Sequence, residues 1–259
     1  MTGYYDRPAS PLGNRANFLA RLSLMLLLIS GLSHRYGLME TVGFFWVLGA
    51  IFFIAFAALV LSLLALHRLW DIGARGGRPA AYACAISCLV LVPYAVSAWN
   101  AMTRPVLNDV STDLEEPPAY FLSAGVRQGA QNRITEPSPD QLETQRLAYP
   151  EVTGRRYNAA PDRVLAAVSN VVAANGWPVR SRNGVIAEGD DVTLEVRAWS
   201  PVFAFPADVV IRIGDEGETT YVDMRSSSVY AAHDLGDNAR RIANFMKALD
   251  AEMLLLAGT

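Results

Sequence analysis

Residues 42–66 read VGFFWVLGAIFFIAFAALVLSLLAL, 25 positions from Val42 to Leu66 without one charged side chain. At about 1.5 Å per helical residue this run is long enough to cross a hydrocarbon core of roughly 30 Å. Working outward, Pro79 to Trp99 gives a second uncharged run of 21 residues. Upstream, the apolar stretch Leu22–Ser33 has only 12 residues. It spans when Phe18–Arg21 and His34–Leu38 join it, with Arg21 and Arg35 snorkelling to opposite interfaces. The bulky, charged Ser33-His34-Arg35-Tyr36 junction is not a small-residue cleavage site, so this first segment reads as a retained helix rather than a signal peptide. The expected transmembrane region is therefore 17–99, with helices at about 17–38, 42–66 and 79–99, after a tail over 1–16.

Composition agrees with a chain that lies partly in lipid. Of 259 residues, 52% are apolar and 18% charged, against about 25% charged in an ordinary soluble domain; mean hydropathy is +0.20. Residues 1–99 carry a net charge of +4 and residues 100–259 a net of −7. An acidic polar half argues against nucleic acid as a partner, and two cysteines make no disulfide scaffold. Arginines set the orientation. Arg7, Arg15 and Arg21 precede the first span, and Arg68, Arg75 and Arg78 lie between the second and third. Only Arg35 and Arg104 flank the other side. The positive-inside rule then puts the N-terminus in the cytoplasm and residues 100–259 outside, in a bacterial periplasm.

Residues 100–150 are polar and Pro-dotted, including Glu115-Glu116-Pro117-Pro118 and Glu136-Pro137-Ser138-Pro139. No period persists, and the stretch reads as a linker that is partly ordered and able to lie against the following domain. Residues 151–259 are expected to form that domain. Pro161 opens a helix with Val164, Leu165, Val168, Val171 and Val172 on one face, and Gly176 stops it. Arg182-Asn183-Gly184-Val185 is a hairpin turn between strands near Val179 and Ile186. Alternation at Val192, Leu194, Val196 and Ala198, then at Val209, Ile211 and Ile213, marks two half-buried strands, and a further strand runs over 219–228. A last helix from Asp237 presents Ile242, Phe245, Met246, Leu249, Met253 and Leu256 at 3–4 residue spacing. The expected fold is α+β: helix, four or five antiparallel strands, helix, with both helices on one sheet face.

Candidate chemistry clusters after the last strand. Arg225 could hold an anion, His233 could act as a base near neutral pH and Asp234 could orient it. The same residues also fit plain structure, with Asp234 or Asp237 capping the last helix and Arg225 pairing a carboxylate. Motifs for a hydrolase nucleophile, a zinc protease or a phosphate loop are absent from the sequence; no metal or cofactor is expected, and Asp190-Asp191 reads as a turn. Trp199, Phe203 and Phe205, with Pro201 and Pro206, read either as sheet packing or as a surface for a membrane, lipid or protein. Ala80, Cys84 and Cys88 form an i, i+4, i+8 row of small residues suited to helix–helix association. His34 and His67 read as interfacial side chains.

The motifs Asp109-Val110-Ser111-Thr112-Asp113, Pro117-Pro118, Ala148-Tyr149-Pro150 and Phe203–Arg212, with Val222–Ser228 and Asp234-Leu235-Gly236-x-Asn238-x-x-Arg241-Ile242, resemble the DUF1499 family in its multi-pass bacterial membrane form. The resemblance covers nearly the whole chain and implies three spans followed by an outside domain. Its motifs add Asp208, Asn238 and Arg241 to Arg225 and Asp234 as binding candidates, beside Trp199, Phe203 and Phe205. The family places an acidic pair where this chain has Ala207-Asp208, and Arg then Gly where it has Val229 and Ala231. It implies no activity. The expected role is binding of a protein or lipid partner in the envelope. Alternatives are an accessory subunit of a membrane complex, or an enzyme acting on an envelope substrate through Arg225, His233 and Asp234.

Overall fold

The structure, a computed structural model, describes residues 11–72, 77–185 and 191–257. Chain contacts divide it into two units, 1–99 and 100–259.

The first unit is three helices, α1 (Pro11–Arg35), α2 (Thr41–Ile72) and α3 (Gly77–Thr103). All three are long and apolar enough to cross a membrane. Each extends past its apolar run, because backbone hydrogen bonding continues into the polar flanks. α1 ends in a Schellman motif: Leu38 N–H bonds Ser33 O at 2.8 Å and Gly37 N–H bonds His34 O at 3.0 Å, with Gly37 at φ +73°. Ala16, Ala20, Ala58 and Ala83 meet in one buried cluster, and Ile51, Ala55 and Val90 in another. Small side chains let helix backbones approach where lipid supplies no hydrophobic drive. The buried residues of α3 are Ala80, Ala83, Ser87 and Val90. Of the expected row, Ala80 is therefore packed inside the unit while Cys84 is half-buried and Cys88 exposed. His34 packs against the protein: it is 7% exposed and stacks on Phe44 with ring centroids 4.5 Å apart. The tail before Pro11, Gly73–Gly76 with Arg75, the strand expected near Ile186, and Asp190 lie outside the described residues.

The second unit is an antiparallel sheet with two helices on one face, the expected α+β class. Six strands occur among the described residues: β1 (Asp109–Ser111), β2 (Arg155–Tyr157), β3 (Val179–Asn183), β4 (Val192–Trp199), β5 (Pro206–Asp215) and β6 (Thr220–Ser228). Their order is β1-β6-β5-β4-β3, and β2 pairs further along β6. Two short strands thus share one edge of β6. Helices α6 (Pro161–Ala174) and α7 (Asp237–Ala257) bury their apolar stripes against alternate strand residues. Val196, Val209, Ile211, Val222 and Met224 meet Val168, Ile242, Phe245 and Leu249 in one core, and Trp177 stacks on Phe245.

The segment 100–150 does not behave as a free linker. It contains β1, a short helix α4 (Ser123–Val126) and α5 (Pro139–Ala148), and it belongs to the same unit as the rest of the domain. Ser138 and Gln141 close a capping box on α5. From that helix Gln145 donates to Ser111 O at 2.6 Å and accepts from Ser111 N–H at 3.1 Å. Its side-chain amide pairs with β1 as a neighbouring strand would, which protects an exposed edge. A three-residue strand is too short for a periodicity test, and the flanking prolines hid it.

Two glycines with positive φ separate conformational from steric need. Gly176 (φ +66°) has open space around a notional Cβ, whereas a Cβ on Gly184 (φ +83°) would collide with the carbonyl oxygen of Asp191. Gly176→Ala should lower stability by about 1 kcal/mol, the left-handed cost alone. Gly184→Ala should cost clearly more; thermal unfolding of the two variants side by side measures the gap.

Candidate functional site

Strand periodicity sends alternate residues of the sheet away from the helices. On that outward face stand Asp109 (β1), Tyr221, Asp223, Arg225 and Ser227 (β6), Asp208 and Arg212 (β5), Glu195 and Arg197 (β4). Several of these side chains are charged and buried: Glu195 is 1% exposed and Asp208 0%. Residues 112–135 lie across them and supply the partners.

Glu195 accepts from the N–H groups of Phe121, Leu122 and Ser123 and from the Ser123 hydroxyl. Arg127 donates Nε to Asp208 Oδ2 at 2.9 Å, and its Nη groups reach Asn132 O, Ser227 Oγ, Ser227 O and Ser228 O. The other Asp208 oxygen faces Arg197 Nε at 2.9 Å and Arg180 Nη1 at 3.8 Å. Burial lowers Arg197 below its ordinary value, against the pull of Asp208. Arg225 grips Asp109 with two hydrogen bonds, 2.9 and 3.1 Å, donates to Thr135 O at 3.0 Å and lies over the Tyr120 ring. Burial opposes the Arg225 cation, yet the charge and hydrogen bonds of Asp109, with Tyr120 and Glu136, together raise the guanidinium. Burial likewise pushes Asp109 above the usual carboxylate range despite Arg225. Arg212 bridges Asp113 at 2.8 Å and Asp223 at 3.2 Å.

A second polar cluster lies on the helix side. Asn238 Oδ1 accepts from Ser226 Oγ (2.8 Å) and Arg241 Nη1 (2.7 Å), while its amide nitrogen donates to Asn108 O and Ser228 Oγ, both at 3.0 Å. Arg241 also holds Asp237. Asp234 accepts from Gly236 N–H at 2.8 Å and Asn238 N–H at 3.0 Å, so it caps α7, whose first turn also carries Asp237. Burial raises the Asp234 carboxyl, opposed by those two backbone bonds.

The three catalytic candidates therefore do not converge. Arg225 is spent on Asp109 on the outward face. Asp234 is spent on a helix cap, beyond the strand position where Ser226 turns to the other side. His233 accepts from Leu235 N–H through Nδ1 at 3.1 Å, and its buried Nε2 has no hydrogen-bond partner. A polar cavity of about 30 Å³, lined by Asp109, Arg133, Thr135, Gln141 and Gln145 among others, has room for about one water. A larger open groove of about 370 Å³ is lined by Tyr157, Arg163, Asp250, Met253 and Leu254. Neither is lined by Arg225, His233 or Asp234.

Of the binding candidates, Asp208 and Arg225 share the covered face, and Asn238, Arg241 and Asp234 share the α7 cluster. Trp199, Phe203 and Phe205 sit apart, at the turn from β4 to β5, where Trp199 is 42% exposed. The residues the sequence reading missed are Tyr120, Arg127, Arg180, Glu195 and Arg197. Glu195 and Arg197 occupy the polar positions of an alternating strand, which ordinarily face water. The signal available was the apolar Tyr120-Phe121-Leu122 run inside a supposed linker.

The outward network, its cover and the α7 cap fall within one family. A profile for proteins of unknown function (DUF1499) matches residues 109–249, from the first residue of β1 to Leu249 in α7, and the chain belongs to that family. No curated protein matches the chain.

Two outcomes test this geometry. Asp208→Asn leaves Arg127 buried without its counter-charge and should cost about 3–5 kcal/mol in chemical unfolding. The raised Asp234 means that the folded state keeps a proton which the unfolded chain releases near the ordinary value of 3.8. Its contribution is full below that value and is lost as pH rises through the folded pKa. Asp234→Asn, which keeps a capping acceptor, should flatten that part of the stability profile when melting is followed across graded pH.

Proposed function

We propose that this chain is a bacterial inner-membrane protein whose N-terminus is cytoplasmic and whose 100–259 domain binds a protein or lipid partner in the periplasm. The three helices of spanning length support the membrane placement. The excess of arginine at and before the start of α1 (Arg7, Arg15, Arg21) and around the α2–α3 connection (Arg68, Arg75, Arg78), against Arg35 and Arg104 on the other side, supports the orientation. The binding role rests on one observation. While the charged groups on the outward face are paired with one another or with residues 112–135, the β4–β5 turn exposes Trp199 and Val202, at 42% and 71%. An exposed aromatic beside an uncharged turn is where a surface meets another apolar surface. An enzyme working through Arg225, His233 and Asp234 has less support, since two of the three are committed to structural bonds.

Two measurements test the reading. A phosphatase fused after Thr259 should be active and a fluorescent protein at the same place dark; the reverse pattern would refute the orientation. Native mass spectrometry of the full-length protein, released gently from its own membrane, should show a reproducible added mass, and a bare chain would count against binding.

A further inference from the structure

Resting on that binding role, we infer that the occupant of the β4–β5 end of the sheet is the surface of an anionic lipid bilayer, with Val202 and Trp199 entering the interface and Arg180 and Arg197 meeting lipid phosphates.

The turn Ser200-Pro201-Val202-Phe203-Ala204-Phe205 carries no charge, and its backbone is prepared to leave water. Ser200 N–H bonds Phe205 O at 2.9 Å, and Ala204 N–H bonds Ser200 O at 3.1 Å. Phe205 N–H bonds the Ser200 hydroxyl at 2.9 Å. Pro201 and Pro206 have no N–H to satisfy. An amide taken into an apolar medium without a partner costs several kcal/mol, and the N–H groups of Ser200, Ala204 and Phe205 are already paired within the turn. Phe203 and Phe205 brace it from within, with ring centroids 6.0 Å apart. A protein partner could satisfy open amides itself and would not require this self-closure.

Charge supplies the second half. Three guanidiniums converge on one carboxylate, Asp208, and the deepest, Arg127, saturates one of its oxygens. Arg180 and Arg197 share the other oxygen and keep 33% and 21% side-chain exposure. Glu195, the nearest other acid on β4, is occupied by four donors from residues 121–123. Positive charge is thus in surplus two residues from Trp199 on the same strand face, a spacing of about 7 Å. Guanidinium matches phosphate in charge and fork geometry, and tryptophan favours the headgroup level of a bilayer. The same chain carries three helices of spanning length, which hold a bilayer within reach of the domain.

The test reconstitutes the full-length protein in nanodiscs of phosphatidylcholine alone, or of phosphatidylcholine with phosphatidylglycerol, and reads amide hydrogen exchange at residues 199–206. Exchange should be slower in the anionic discs, and high salt should remove the difference. Val202→Asp should abolish the protection. Arg180→Gln should weaken it about fivefold. Both substitutions fall on exposed side chains, so unchanged exchange in β5 and β6 certifies the fold. Equal exchange in the two discs, or protection that survives Val202→Asp, overturns the inference. Protection in native membrane vesicles but in neither disc would identify a protein occupant, sinking the lipid assignment while leaving the binding role. Fast exchange in all three would sink both.

Discussion

Two buried carboxylates decide how this domain is built. Glu195 and Asp208 project from the central strands on the side away from the helices, and each is withdrawn from water. An ionised carboxylate in that position is tolerated only with partners in place. For Glu195 they come from outside the sheet, as three consecutive backbone amides at 121–123; Asp208 takes Arg127 from the same cover and Arg197 and Arg180 from strands β4 and β3. The cover over 112–135 is therefore an obligatory layer of the fold. The helix side is held by ordinary apolar burial and the other side by satisfied charge.

That asymmetry explains what the sequence could and could not disclose. Apolar periodicity marks burial directly, so α6, α7 and strands β4, β5 and β6 were legible from Val168, Ile211, Met224 and their neighbours, and the α+β class followed. The charged face gives no such mark. Glu195 and Arg197 stand where solvent-facing residues normally stand, and only knowledge of the cover turns them inward. The cover was itself obscured by Pro117-Pro118 and Pro137, which break any period. β1 and β2 are three residues each, below the length at which alternation can be tested.

The candidate site was legible in its residues and not in its arrangement. Asp208, Arg225, Asp234, Asn238 and Arg241 all make buried bonds in the structure. The period of two already separates Arg225 from Ser226, and hence from the Asn238–Arg241 cluster that Ser226 joins. Nearness in sequence between Arg225 and His233 suggested one centre where strand geometry makes two. The family match spans both networks. What the two networks share is a closed account of donors and acceptors, apart from a few groups such as His233 Nε2 and Asp208 Oδ1.

Among the strand pairings, that of β1 with β6 reaches furthest along the chain, and its ion pair joins Asp109 to Arg225, 116 residues apart in sequence. During synthesis, β1 and the cover emerge early and their partners late, so the outward face stays open until Ser228 has been made. Long loops must then close before any of these ion pairs can form, which favours slow completion of the domain. β1 also follows α3 after only a few residues, so any tension between the membrane helices and the domain acts first on this short strand. Peeling it would release Asp109 from Arg225 and withdraw Leu107 and Val110 from the apolar core in the same step. The seam where residues 107–111 meet β6 and the start of α7 is thus the part of the domain that follows α3 most directly along the chain.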